Sequence, residues 1–346
     1  MLTLTQHILT AKHREPVSPK GFALLMNTIE NASRIISAHV RKIGISDLLG
    51  VSGDENVSGD QVKRIDVYAH ELLTQMLSDC AQVSQVGSEE AEDIFATSYP
   101  EAPYRVFFDP LDGSSNIDSG GSLGTIFSIY HTSNRHESTS NTCHPDEGKN
   151  PQTIHVIPAK AGIQSRKISI GEHLPRGIDQ IAAGYILYGS TTIFVYATAE
   201  GVHGFTLDPS TGCYLLSHPD MHFPAKPTVY VANEANSIYW DEQTTQMVAD
   251  LKASGTYKQR NAGCLVADFH NILINGGVFL YPVDKKNKSG KLRLMYEVNP
   301  MSYIAVKAGG TARSGDLDPL MVQSSDLHQK VGWVAGVLES TNCCVK

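Results

Sequence analysis

The chain reads as a layered α/β protein, and three observations carry that reading. Helical and strand-like segments alternate along the chain, the pattern of sheets covered by helices. Its 346 residues are 41% hydrophobic and 18% charged, enough to bury a large core spread over two ordinary domains. One aperiodic stretch, 217–227, carries three prolines and breaks the alternation. It divides the chain into an N-terminal domain, 1–218, and a C-terminal domain, 219–346.

Over 22–43, Phe22, Leu25, Met26, Ile29, Ser33, Ile36, Val40 and Ile43 recur at helical spacing, so an amphipathic helix is expected there, ending near Gly44. Residues 50–59 hold three glycines and few bulky side chains, which reads as a movable loop. A second helix is expected over 63–83, with Leu72, Leu73, Met76, Leu77 and Cys80 facing inward. Aromatic and β-branched runs predict strands over 104–108, 125–130, 181–187, 193–197 and 204–207, with a turn at 208–212. Beyond the boundary, strands are expected over 229–231, 278–281 and 292–296. Helices are expected over 243–251, 265–274 and 300–308, the last opened by Pro300. Residues 131–166 do not fit this pattern. They are largely polar and without period, and such composition cannot offset the entropy of ordering. They read as a disordered insertion.

The net charge of −8 argues against a nucleic-acid partner, because phosphate backbones are met by basic stripes. No apolar run approaches the ~20 residues of a membrane span, and the first residues lack the order of a signal peptide. The expected location is the cytoplasm. Six cysteines (Cys80, Cys143, Cys213, Cys264, Cys343 and Cys344) form no CxxC pair, so neither a zinc site nor a disulfide framework is expected.

The chemistry concentrates in acids at element ends. Asp109 and Asp112 flank a Pro-Leu turn directly after a predicted strand, which lets both carboxylates and the Leu111 carbonyl face one point. Hard divalent cations take oxygen ligands in such a convergence. Gly113, Ser114 and Ser115 follow at once, and their backbone N–H groups could cradle a phosphate. Glu89 and Glu90 form a second acidic pair, Glu297 closes another predicted strand, and Asp60 and Asp66 flank the glycine-rich loop. Acids that gather metals beside a phosphate cradle suggest metal-assisted phosphoryl transfer to water. Competing motifs are weaker. Residues 120–124 match GxSxG, but no buried strand precedes them and no helix pattern follows. There is no GxxxxGK[ST] loop, no GxGxxG after a strand and no HExxH.

At these residues the sequence resembles class I fructose-1,6-bisphosphatase, from about Phe22 to Val331 apart from the insertion. The motifs that agree in order are GDQVKRID (59–66), SEE (88–90), DPLDGSSNID (109–118), AAGYILYGS (182–190), Asn233-Glu234, VADFH (266–270) and GKLRLMYEVNPM (290–301). The resemblance implies an αβαβα sugar-phosphatase fold with two subdomains. It also implies Mg²⁺-dependent hydrolysis of the 1-phosphate of fructose 1,6-bisphosphate, with roughly two or three ions per subunit and Mn²⁺ or Zn²⁺ as substitutes. It implies metal ligation by Glu89, Asp109, the Leu111 carbonyl, Asp112 and Glu297. Glu90 and Asp66 would prepare the attacking water, and Asp60 would complete the cluster when its loop closes. Gly113, Ser114 and Ser115, with Asp112, would hold the 1-phosphate, and Asn233, Tyr281 and Lys291 the sugar and 6-phosphate. Arg260 would reach the 6-phosphate site of a neighbouring subunit, which implies a homo-oligomer, expected as a tetramer.

Some positions depart from the family. Asn236 and Asn261 stand where animal members carry tyrosines at the 6-phosphate, so sedoheptulose 1,7-bisphosphate is the rival substrate. Pro19, Lys20, Gly21, Phe22, Ala23, Pro103, Tyr104 and His131 replace most of the donors of the animal AMP site, so AMP inhibition by that route is expected to be weak or absent. A non-catalytic copy damaged by the 131–166 insertion is the rival from another class.

Overall fold

The computed structural model describes residues 1–11, 19–45, 51–55, 61–132, 166–167 and 174–337. The expectations for Asp60, for 133–165 of the insertion, and for Cys143, Cys343 and Cys344 fall outside these residues.

Five layers stack as helix, sheet, helix, sheet, helix. The first holds α1 (Leu4–Thr10), α2 (Pro19–Val40) and α3 (Arg64–Ser78). The stripe expected on α2 is the one that buries: Phe22, Leu25, Met26, Ile29 and Ile36 lose nearly all their exposure, and Val40 and Ile43 pack at its end. Each such side chain contributes about 1.5–3 kcal/mol of hydrophobic stabilisation. Between α2 and α3, β1 (Val51–Glu55) pairs antiparallel with β2 (Gln61–Lys63), where the glycines predict only loop.

The second layer is a nine-stranded sheet of β3 (Val83–Ser88), β4 (Phe95–Ala96), β5 (Tyr104–Asp112), β6 (Leu123–His131), β7 (Arg166–Lys167), β8 (Gln180–Tyr188), β9 (Thr192–Thr198), β10 (Gly201–Asp208) and β11 (Cys213–His218). Its order is β11-β10-β9-β8-β6-β5-β3-β4-β7, and only β3 and β5 run parallel. The second sheet contains β12 (Val229–Ala232), β13 (Lys258–Arg260), β14 (Gly277–Tyr281), β16 (Thr311–Arg313) and β18 (Trp333–Gly336), in the order β13-β12-β14-β18-β16. β15 (Leu292–Arg293) pairs separately with β17 (Lys330–Val331).

α5 (Leu265–Asn275) and α6 (Asn299–Lys307) fill the space between the sheets, and α4 (Glu242–Ala253) covers the outer face of the second. Strand alternation divides the side chains between layers. Val229, Val231 and Phe279 point into the inter-sheet core with Phe269 and Ile304, whereas Tyr230, Ala232, Val278 and Leu280 face Met247 and Leu251 of α4. Close packing of α5 on the first sheet requires Gly124, where a Cβ would overlap Val266.

Three expectations need correction. The helix expected over 63–83 stops at Ser78, and Val83–Ser88 is a wholly buried strand beside β5. The strand expected over 292–296 is only two residues long. It passes into a π-helical turn, Leu294–Val298, that leads into α6. Leu294, Met295 and Tyr296 are all fully buried, so the run lacks the alternation that separates a strand from a buried helix. Glu297 therefore sits in a helical turn rather than at a strand end. Of the described cysteines, Cys80 and Cys264 are buried and Cys213 is half-buried, all as free thiols.

Candidate active site

The carboxyl end of β5 carries Asp109 and Asp112. Its parallel neighbour β3 ends at Ser88, opposite Phe108, and the Glu89 N–H donates to the Phe108 carbonyl at 3.0 Å. That pairing brings Glu89 beside Asp109. Glu297 arrives from the π-helical turn, where its Oε2 accepts the Arg293 N–H at 2.5 Å. One carboxylate oxygen from each of Asp109, Asp112 and Glu297 lies within 4.8 Å of the others. Arg293 counters this charge, with its Nη1 2.8 Å from Glu89 and 3.8 Å from Glu297.

Burial sets the electrostatics. Asp109 is 4% exposed, and burial, reinforced by Glu89, Asp112 and Glu297, holds its carboxyl well above the usual range. Burial raises Glu297 to about 8, with Glu89 adding and Arg293 opposing. Asp112 is also raised by burial, against hydrogen bonds that favour its charged form. Its Oδ2 accepts the Val266 N–H at 2.8 Å and the Cys264 thiol at 3.0 Å. Acids packed so that each disfavours the ionisation of the next are matched by a divalent cation, and the donors are all hard oxygens. The residues present therefore fit an oxygen-ligated divalent metal.

The turn after Asp112 is built for close approach. Gly113 has φ +81°, and a Cβ there would lie 2.7 Å from the Cys264 Cβ. Ser114–Asn116 then forms a short 3₁₀ turn. These groups open onto a cleft of about 670 Å³. Asp66, Glu89, Glu90, Asp109, Leu111, Asp112, Gly113, Ser114, Ser115, Asn233, Tyr281, Lys291 and Glu297 all line it, as does Asn261. Asp66 stands in the first turn of α3, where the helix N-terminus favours a carboxylate. Arg260 does not line the cleft. It is exposed on β13 and faces an adjacent hollow of about 520 Å³.

Sequence patterns assign no role to Arg293, Cys264 or Asp268. Arg293 lies within the 290–301 run, and its separation of two from Lys291 and four from Glu297 is the one local signal. Cys264 caps α5 and bonds an acid 152 residues earlier, a contact no local pattern reveals. Asp268, pushed up to about 6 by burial, accepts the Ala262 N–H at 2.7 Å and holds the loop before α5.

Residues 2–219 match the family model for the fructose-1-6-bisphosphatase N-terminal domain, and 223–345 match the model for its C-terminal domain. The class 1 fructose-1,6-bisphosphatase of Persephonella marina is 41% identical over 334 residues, covering 95% of this chain and 93% of that protein. That of a Sulfurihydrogenibium species is 39% identical, covering 95% and 92%. The cytosolic fructose-1,6-bisphosphatase of Brassica napus is 38% identical, covering 95% and 90%. The crystal structure of Leishmania major fructose-1,6-bisphosphatase in holo form superposes with a TM-score of 0.82 at 33% identity, over 96% of this chain and 94% of that one. On its sequence matches, its fold and the acids gathered at the end of β5, the chain belongs to the class 1 fructose-1,6-bisphosphatase family.

Proposed function

We propose that the chain hydrolyses the 1-phosphate of D-fructose 1,6-bisphosphate to fructose 6-phosphate and inorganic phosphate, as a phosphoric monoester hydrolase. The observation that carries this is a single cleft lined both by the acidic cluster with the Gly113–Ser115 turn and by Asn233, Tyr281 and Lys291. One end suits a reacting phosphate. The other offers a cation and neutral hydrogen-bonding groups for a sugar and a second phosphate.

Glu89, Asp109, the Leu111 carbonyl, Asp112 and Glu297 would hold Mg²⁺, with Mn²⁺ or Zn²⁺ as substitutes. When bound, the metal offsets the charge of the phosphate oxygens and makes water a stronger acid. The residues of the chain do the rest. Backbone N–H groups of Gly113, Ser114 and Ser115 orient the 1-phosphate. Glu90 and Asp66 accept the proton of the water whose oxygen attacks phosphorus. The bond from phosphorus to the C1 oxygen breaks, and that oxygen takes up a proton from solvent water, to which the acids return the one they accepted. Lys291, Asn233 and Tyr281 fix the far end of the sugar, so binding energy remote from phosphorus aligns the reacting atoms.

We also propose a homotetramer in which Arg260 reaches a neighbour's cleft, division into domains 1–218 and 219–346, and a cytoplasmic location. Exposure of Arg260 outside its own cleft supports the first, and no helix among the described residues is long and apolar enough to cross a membrane. Asn261 in the cleft wall favours a second reading, activity on sedoheptulose 1,7-bisphosphate, because asparagine fills less space than tyrosine. The test is phosphorus NMR of the products with Mg²⁺. Fructose 6-phosphate and inorganic phosphate are expected, and fructose 1-phosphate as the main product would refute the assignment of the two ends.

A further inference from the structure

The side chain of Asn116 does more than complete the turn it sits in. The turn closes without the Asn116 side chain: Asn116 N–H donates to the Gly113 carbonyl at 2.8 Å, and the Asn116 carbonyl accepts the Gly121 N–H and the Ser119 hydroxyl, each at 3.0 Å. The side-chain amide is thus spare for contacts outside the turn. Its Nδ2 donates to the Ser122 carbonyl at 3.1 Å and to the Ala262 carbonyl at 2.9 Å, the latter 146 residues away on the second half of the chain. Ala262 is held from its other side too, its N–H bound to Asp268 Oδ1 at 2.7 Å. A residue fixed at both its N–H and its carbonyl cannot shift without losing one bond. The fit is close: a Cβ on Gly121 would lie 2.9 Å from the Asn116 Cβ, and one on Gly263 3.4 Å from its Oδ1. Asn261 and Gly263, on either side of Ala262, line the cleft, whereas Asn116 does not.

We propose that Asn116 is a positioning residue that fixes the 261–263 loop of the cleft wall against the turn holding the reacting phosphate, beyond the hold that Asp112 has on Cys264 and Val266. The proposal rests on the functional reading above. It assigns to Asn116 the discrimination between a substrate that spans both ends and one that uses the phosphate turn alone. Such a span tolerates little misplacement, because alignment at phosphorus is fixed by contacts at the far end.

The experiment compares Asn116→Ala and Asn116→Asp with the parent in the full chain with Mg²⁺. It measures kcat/KM for fructose 1,6-bisphosphate and fructose 1-phosphate, and the calorimetric affinity for fructose 6-phosphate and for inorganic phosphate. The expected result is a roughly tenfold fall in the bisphosphate-to-monophosphate ratio, mostly through KM, as the loss of one or two neutral hydrogen bonds implies. Affinity for fructose 6-phosphate falls by a similar factor, while that for inorganic phosphate stays within about twofold. Asn116→Asp keeps the size but turns a carboxylate toward two carbonyls, so it matches or exceeds the alanine variant. Asn116 is only half-buried, so the aspartate variant and the product affinities carry the test should the alanine variant not fold. A ratio within about twofold of the parent, or an equal loss on both substrates, overturns the proposal while leaving the function intact. A parent that releases phosphate from neither sugar overturns both.

Discussion

Replacing Glu297 by glutamine should stabilise the metal-free protein while removing its activity. Glutamine keeps the shape of the side chain, and its carbonyl can still accept the Arg293 N–H. Arg293 retains Glu89 at 2.8 Å. What is lost is one negative charge in a buried cluster. The Glu297 carboxyl is raised from an ordinary 4.5 to about 8, so its favourable contribution is complete below pH 4.5 and disappears as pH rises through 8. Each tenfold change in proton affinity between the folded and unfolded chain is worth about 1.4 kcal/mol. At pH 8 the ionised carboxylate therefore costs the fold at most about 4 kcal/mol, against under about 1 kcal/mol at pH 5. For a chain of this size, 4 kcal/mol is roughly 5 °C in midpoint. Thermal melts in EDTA at pH 5 and pH 8 test this directly: the variant should melt close to the parent at pH 5 and several degrees above it at pH 8. Excess Mg²⁺ should close or invert the gap, because only the parent keeps the full ligand set. A variant that melts at or below the parent at pH 8 in EDTA, or a gap independent of pH, would show that the Glu297 charge does not burden the metal-free fold.

Gly113→Ala places a Cβ against Cys264 at φ +81°, so turnover should fall at least about tenfold with a stability loss of about 1–3 kcal/mol, read by steady-state kinetics and denaturant titration. His270, held down to about 4 by burial with His218 adding, bonds the Tyr185 hydroxyl at 2.8 Å. Its folded value lies below its unfolded 6.5, so it costs stability as pH falls from 6.5 to 4, up to about 3 kcal/mol. His270→Asn should flatten that stretch of the melting-temperature profile relative to the parent. AMP at millimolar concentration should leave phosphate release unchanged, since Phe22 and Ala23 are buried in the core and offer an effector no side-chain donor. Inhibition competitive with an AMP analogue bound at the start of α2 would contradict this.

Much of the site was legible because its chemistry is local in sequence. Asp109, Leu111, Asp112 and Gly113–Ser115 fall within one short run at a strand end, and a break in the β5–β6 pairing register between Asp109 and Asp112 turns the two carboxylates to one side. The stripe of α2 was legible because period alone identifies a buried face. Illegible features depend on tertiary context. β3 reads Val-Ser-Gln-Val-Gly-Ser, too polar a run to predict a buried strand before β5 pairs beside it. The π-helical turn that aims Glu297 is apolar on every side. Arg293 neutralises acids that reach it from β3 and from the following turn, and the thiol of Cys264 meets Asp112 across the two halves of the chain. Glu89 and Asp112 lie too far along the sequence from Arg293 and Cys264 for spacing to reveal either pairing.

On the function proposed above, the gathered acids and the adjacent cradle hydrolyse a sugar bisphosphate with the help of a divalent metal. Phosphate release from the purified chain with Mg²⁺, on fructose 1,6-bisphosphate, sedoheptulose 1,7-bisphosphate and inositol 1-phosphate, tests it most directly, with Asp112→Ala as the control. Release from fructose 1,6-bisphosphate should be abolished by EDTA and by Asp112→Ala, with little release from inositol 1-phosphate. A folded, metal-binding protein that releases phosphate from none of the three would contradict it and favour a non-catalytic copy of the enzyme.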